Sequence, residues 1–227
     1  MSSTASDPRP VLVAVDPSDP SRHVADWAAD LAAARRCPLQ VVPVVPAADE
    51  PTVDALLEAA TTAWLLVVGG SPLRMALVER APCPVAVIRG GSPDEPPPRQ
   101  GPVVVGVDGS PSSQRAFELG AELAAAIGAE VVAVHAFTDV VESGGAPHRR
   151  HEEWARLVAE AEAELAQVVE RHPEVPVRRA VVAGSTLGVL MDRAADARMI
   201  VVGQRGVRPV GEMLLGSTSR GPVEFAP

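Results

Sequence analysis

Residues 203–219 read GQRGVRPVGEMLLGSTS, with glycines at 203, 206 and 216 and hydroxyls at Ser217 and Thr218. The segment follows an apolar run, ARMIVVG (197–203). Glycine at a strand end allows positive φ and close backbone approach to a ligand. A Gly-Ser-Thr step opening a helix offers free N–H groups, hydroxyl donors and the positive end of the helix dipole. Arg205 and Arg208 add positive charge, and residues 178–208 carry six Arg against Asp192 and Asp196. Together these features suit a phosphate. They also suit a plain turn followed by a helix cap, and short motifs of this kind occur by chance.

No catalytic constellation accompanies the loop. The chain has no Lys, so all 20 of its basic residues are Arg and a Walker-type lysine or a lysine Schiff base is excluded. Glu212 has no partner with which to activate water. His135 ends an apolar strand, VVAVH, without a nucleophile or metal-ligand spacing nearby, and reads as a satisfied structural histidine rather than a base. Cys37 and Cys83 are too few for a disulfide framework or zinc site. The net charge of −9 argues against general nucleic-acid binding. No apolar run reaches the roughly 18 residues of a membrane span, and MSSTASDPRP does not read as a signal peptide. A cytoplasmic protein is expected.

The elements that would position the loop come in two copies. RPVLVAVDPSDPSRHVADWAADLAAARRC (9–37) matches GPVVVGVDGSPSSQRAFELGAELAAAIGA (101–129) in its order of strand, Ser/Pro turn and Ala-rich helix. Between the copies, GGSPDEPPPRQGP (90–102), with five prolines, reads as a linker. In the second copy the pattern predicts strands at 103–107, 130–136, 177–183 and 199–203 and helices at 113–127, 148–171 and 186–197. Such alternation implies a parallel sheet covered on both faces. The glutamates of 148–171 read as a solvated acidic face.

The first copy is shorter. It runs from strand 39–45 through one helix, about 52–62, to strand 64–69, so a helix and a strand are missing. Its VVG (67–69) abuts GS (70–71), whereas twelve residues, QRGVRPVGEMLL, separate VVG (201–203) from GS (216–217) in the second copy. The glycine loop exists once.

The spacing Gly203-x2-Gly206-x9-Gly216-Ser217, after a VVG strand and a Val182/Gly184/Ser185 turn, resembles the signature of nucleotide-binding universal stress proteins. VVVGVDGSPSSQRA (103–116) resembles that family's opening strand and turn, and APCPVAVIRG (81–90) its closing strand. The resemblance covers nearly the whole chain as a tandem pair. It implies a flavodoxin-like, adenine nucleotide alpha hydrolase-like sandwich on a five-stranded parallel sheet, in two domains: 9–90, reduced and without the phosphate loop, and 102–227, which binds ATP, with 91–101 as linker.

Carried onto this chain, the resemblance places Asp108 at the adenosine, Val107 and Ala136 around the adenine, Gly203, Arg205 and Gly206 beneath ribose and phosphates, and Gly216, Ser217 and Thr218 on the phosphates, with Mg2+ as a companion ion. Gln204 and Pro209 depart from the small residues expected in the loop. The first domain keeps Asp16 but has Pro17 beside it. The second stops at Phe225-Ala226-Pro227, where the first continues into its closing strand 85–89.

The implied function is a nucleotide-dependent stress-response regulator with little or no catalysis, acting through a regulatory protein partner. The alternatives are a scaffold with a vestigial site, a slow ATPase, and an adenylating or amidating enzyme. GVDGSPSS (106–113) does not match the SGGxDS-like pyrophosphate loop of the last class. The missing closing strand would leave strand 199–203 as an open edge, to be covered by strand 85–89 or by a second copy in a homodimer.

Overall fold

A computed structural model of the chain describes residues 9–15, 22–44, 50–70, 72–88, 97–137, 147–204 and 222–223. It divides into two compact units, Met1–Pro98 and Arg99–Ala226.

The first unit runs β1 (Val11–Val15), α1 (Arg22–Arg35), β2 (Leu39–Pro43), α2 (Glu50–Ala60), β3 (Leu65–Val68), α3 (Arg74–Arg80) and β4 (Val85–Val87). Its strands form a parallel sheet in the order β2-β1-β3-β4. The continuous apolar runs VLVAV and LLVV are buried on both faces, as a covered parallel sheet requires. Leu12, Ala14, Leu66 and Val68 pack against Val53, Leu56 and Ala60 of α2 and Leu77 of α3. By the alternation of a strand, Val11 and Val13 face the other way, toward α1, whose Val24, Ala28 and Leu31 are buried.

The second unit runs β5 (Val103–Gly106), α4 (Pro111–Ile127), β6 (Val131–Phe137), α5 (Pro147–Glu170), β7 (Val177–Ala183), α6 (Thr186–Ala194) and β8 (Met199–Val201), with sheet order β7-β6-β5-β8. Val189 and Leu190 of α6 cover one face, on Val104, Val132 and Val134. On the other face α4 lies so close that a Cβ on Gly120 would stand 2.6 Å from Val105 Cγ2. α5 adds Ala161, Leu165 and Val168, all buried.

Each sheet has four strands among the described residues, where the family resemblance implies five. The two are short at different places. β3 lies beside β1 as β8 lies beside β5, but among the described residues the first unit has no counterpart of α5 and β7. The effect on burial is local. Val131 and Ala133 of β6 are both 0% exposed, beneath α5. Leu39 and Val41, which hold the same registers on β2 opposite Val11 and Val13, are 37% and 54% exposed. Pro43 ends this strand, a residue that sheets admit mainly at edges because it has no N–H to give to a neighbour.

In the second unit three boundaries differ from the sequence reading by two residues or more. α4 begins at Pro111 rather than 113, because proline suits the first helical position and Ser110 caps it. α6 and β8 stop at Ala194 and Val201, short of 197 and 203. The short helix α3 was not expected at all.

Candidate functional site

The second sheet reverses direction between β5 and β8: from β5 the chain winds through β6 to β7 on one side and returns to β8 on the other. In open parallel sheets the crevice beyond the carboxyl ends at such a point receives ligands. Two expected site residues, Asp108 and Gly203, flank it.

Asp108 follows the end of β5 in a tightly bonded turn. Ser110 donates to its Oδ1 twice, from the backbone N–H at 3.1 Å and from the hydroxyl at 2.6 Å. Ser110 Oγ in turn accepts from Ser113 N–H at 3.1 Å, which makes Ser110 the N-cap of α4. Ser113 Oγ donates to the Ser110 carbonyl at 3.0 Å and faces Asp108 N–H at 3.3 Å. Gly109 supplies the left-handed residue of the turn, with φ of 77°. The carboxylate is therefore half-buried and fixed in direction by one of its own oxygens.

Gly203 lies just past β8. A Cβ there would stand 2.6 Å from Ser112 Oγ and 2.8 Å from the Ser112 carbonyl carbon. The backbone after β8 thus presses on the first turn of α4, immediately beside the Asp108 turn. This close approach is to protein, and it gives Gly203 a packing reason that the sequence alone did not disclose.

Val107 is 3% exposed, and its N–H donates to the Val134 carbonyl at 2.8 Å, which fixes the end of β5 against β6. Ala136, two residues further along β6, is half-buried and packs on the cluster beneath α6. Ser185 of the Val182/Gly184/Ser185 turn caps α6, accepting from Gly188 N–H at 3.2 Å. Arg205, Gly206, Gly216, Ser217 and Thr218 lie outside the described residues, as does Asp16. Among the described residues no three His, Cys, Asp or Glu side chains come together as a metal site, and no helix is long and apolar enough to cross a membrane.

His135 differs from the satisfied histidine that was expected. Its Nδ1 is buried, makes no hydrogen bond, and faces Glu164 Oε2 of α5 at 3.5 Å. Glu164 lies against Gly109 as well, its carboxylate 3.0 Å from the place a Cβ would occupy. Sequence reasoning assigned Glu164 to a solvated acidic face. On that face Glu160 meets Arg156 at 3.3 Å and Glu162 meets Arg179 at 3.8 Å, so three of the glutamates have charged or titratable neighbours. Helical spacing shows which face a residue shares. It cannot show that the face meets a strand end nearly thirty residues earlier.

A family model described as the universal stress protein family matches residues 8–69 and 101–224. Universal stress protein Rv2005c of Mycobacterium tuberculosis is 36% identical over 191 residues, 77% of this chain and 63% of that one. Universal stress protein Rv2623 of the same species is 34% identical over 198 residues, 81% of this chain and 64% of that one. The aligned part spans less than two thirds of the length of either relative. A universal stress protein from Archaeoglobus fulgidus superposes with a TM-score of 0.57 at 18% identity, covering 96% of this chain and 84% of that one. A putative universal stress protein from Pseudomonas aeruginosa gives 0.58 at 14% identity, with 96% and 90% covered. These two likenesses are likenesses of fold.

Proposed function

The chain belongs to the universal stress protein family and carries its α/β fold in tandem, and on that premise we propose that its second unit binds an adenine nucleotide, ATP, at the carboxyl ends of β5, β6 and β8. One observation carries the reading: at the point where the sheet reverses, Asp108 is held by Ser110, the N-cap of α4, and Gly203 lies against Ser112 in the first turn of the same helix. A carboxylate held in this way accepts hydrogen bonds from ribose hydroxyls or from an adenine amine. Val107 and Ala136 supply the apolar wall beside it. Arg205 and the glycines and hydroxyls of 206–218 would take the phosphates, and Mg2+ would arrive with them, since the described residues offer no resident metal cluster.

Nothing among the described side chains at this end pairs a base with a nucleophile, so binding with little turnover is the role we favour: a nucleotide-responsive regulator acting through a protein partner. A scaffold reading has one observation in its favour, the packing of Gly203 on Ser112, which explains that glycine without a ligand. Calorimetry with ATP separates the two. We expect one site per chain, lost in Gly216→Val with the far-UV dichroism intact. Two sites, or none, or full binding by Gly216→Val would refute the assignment.

A further inference from the structure

We infer that Glu164 is a positioning residue for the ligand end of the second unit: with His135 it straps α5 to the turn that aims Asp108. What Asp108 meets rests on the nucleotide reading above; the strap itself rests on geometry.

Glu164 touches two pieces of backbone framework at once. Its carboxylate lies 3.0–3.1 Å from where a Cβ on Gly109 would stand, so a side chain there would push it aside by a few tenths of an ångström. Its Oε2 faces His135 Nδ1 at 3.5 Å, on the last turn of sheet before the crevice. Both atoms are shielded from solvent and neither has a hydrogen bond. Buried polar atoms left this way are costly, and these two answer each other. A few tenths of an ångström of closure converts the contact into a hydrogen bond to a carboxylate. The Gly109–Ser110 turn lies directly under the carboxylate, and the Ser110 N–H and hydroxyl are what hold Asp108 Oδ1. Tightening the strap therefore tightens the aim of Asp108.

The internal repeat supports the grouping. Val107 and Asp108 have Val15 and Asp16 as counterparts in the first copy. Gly109 and His135 do not: Pro17 and Pro43 stand there, and the helix that would carry the glutamate is missing. The three parts of the strap are absent together from the copy that also lacks the phosphate loop.

Among the described residues, α5 sets Glu164 against the imidazole, and Asp108 lies past the end of neighbouring β5. β7 sets Val181 opposite His135, and its Arg179 is beside Glu162. On α4, Arg115 and Glu118 are exposed.

The test uses the full chain, Glu164→Gln and His135→Gln, with two readouts. The first is hydrogen exchange at the Ser110 amide. The second is adenosine affinity by calorimetry. We expect both variants to bind adenosine about threefold more weakly than the parent and to exchange the Ser110 amide about threefold faster, as suits a partly exposed pair. If the parent binds adenosine and both variants keep its affinity and its Ser110 exchange rate, the inference fails. If the parent binds neither adenosine nor ATP while Ser110 exchange still quickens in the variants, the strap stands and the nucleotide reading falls.

Discussion

Gly203→Ala adds one methyl group at the most crowded point of the candidate site. The new Cβ would lie 2.6 Å from Ser112 Oγ, 2.8 Å from the Ser112 carbonyl carbon and 2.9 Å from its oxygen. The hydroxyl can rotate away, but the carbonyl belongs to the first turn of α4 and cannot move without the helix. Overpacking of this kind costs about 1–3 kcal/mol. Gly203 is not among the positive-φ glycines, so alanine returns about 0.4–1 kcal/mol by restricting the unfolded chain. Because the clash includes backbone atoms that cannot swing aside, the overpacking cost belongs to the upper part of its range, about 2–3 kcal/mol, and the net expectation is a loss of about 1–2.5 kcal/mol. Urea unfolding followed by circular dichroism measures it, as a lower midpoint for the second unit. Gly70→Ala is the control, because a Cβ there meets nothing within 4 Å; it should be neutral or slightly stabilising. If Gly203→Ala unfolds at the parent's midpoint, β8 and α4 are not this close, and the geometry that joins Asp108 to Gly203 is wrong.

Val41→Ala in the first unit should cost less than about 0.5 kcal/mol, as a largely exposed change does, while Val131→Ala, on the same face of the matching strand of the second, should cost about 2 kcal/mol by opening a cavity; paired urea titrations compare them. Burial pushes the Cys83 thiol up from its usual range, and only the thiolate attacks, so alkylation at about pH 8 should label Cys83 far more slowly in the folded chain than in urea. Equal rates would show that it is not shielded. β8 pairs only with β5 among the described strands, so sedimentation of the full chain tests whether its outer edge joins two copies. We expect a homodimer, and a monomer at micromolar concentration would reject that assembly.

What the sequence made legible follows from how far each signal reaches. Apolar runs located seven of the strands closely, and the near-gapless repeat exposed the lost helix and strand before any sheet was seen. Helix α3 escaped because RMALVER is barely two turns long and shows no sustained period. The start of α4 was set two residues late because Ser110-Pro111 was taken for a turn, when the same pair caps a helix. The site was half legible. Gly203 could be named from local pattern and Asp108 through the family resemblance, but the contact of Gly203 with Ser112 joins residues 91 apart in sequence, across β8 and α4. Glu164 was invisible for the same reason: its meaning lies in Gly109 and His135, which only the packing of α5 brings to it.

The missing α5 and β7 of the first unit also set the order in which the two sheets can assemble. In the first unit β1 must find β3 across 54 residues, from Val11 to Leu65. In the second, β5 must find β8 across 96, from Val103 to Met199. Loop-closure entropy makes the longer search dearer by only about 0.5 kcal/mol, but the rate of folding falls with the mean separation of contacts. The N-terminal unit, which also leaves the ribosome first, should therefore finish its sheet while the second unit is still bringing β8 home. With one helix and one edge strand fewer to place before β3 than the second unit places before β8, the first unit should be the faster half of the chain.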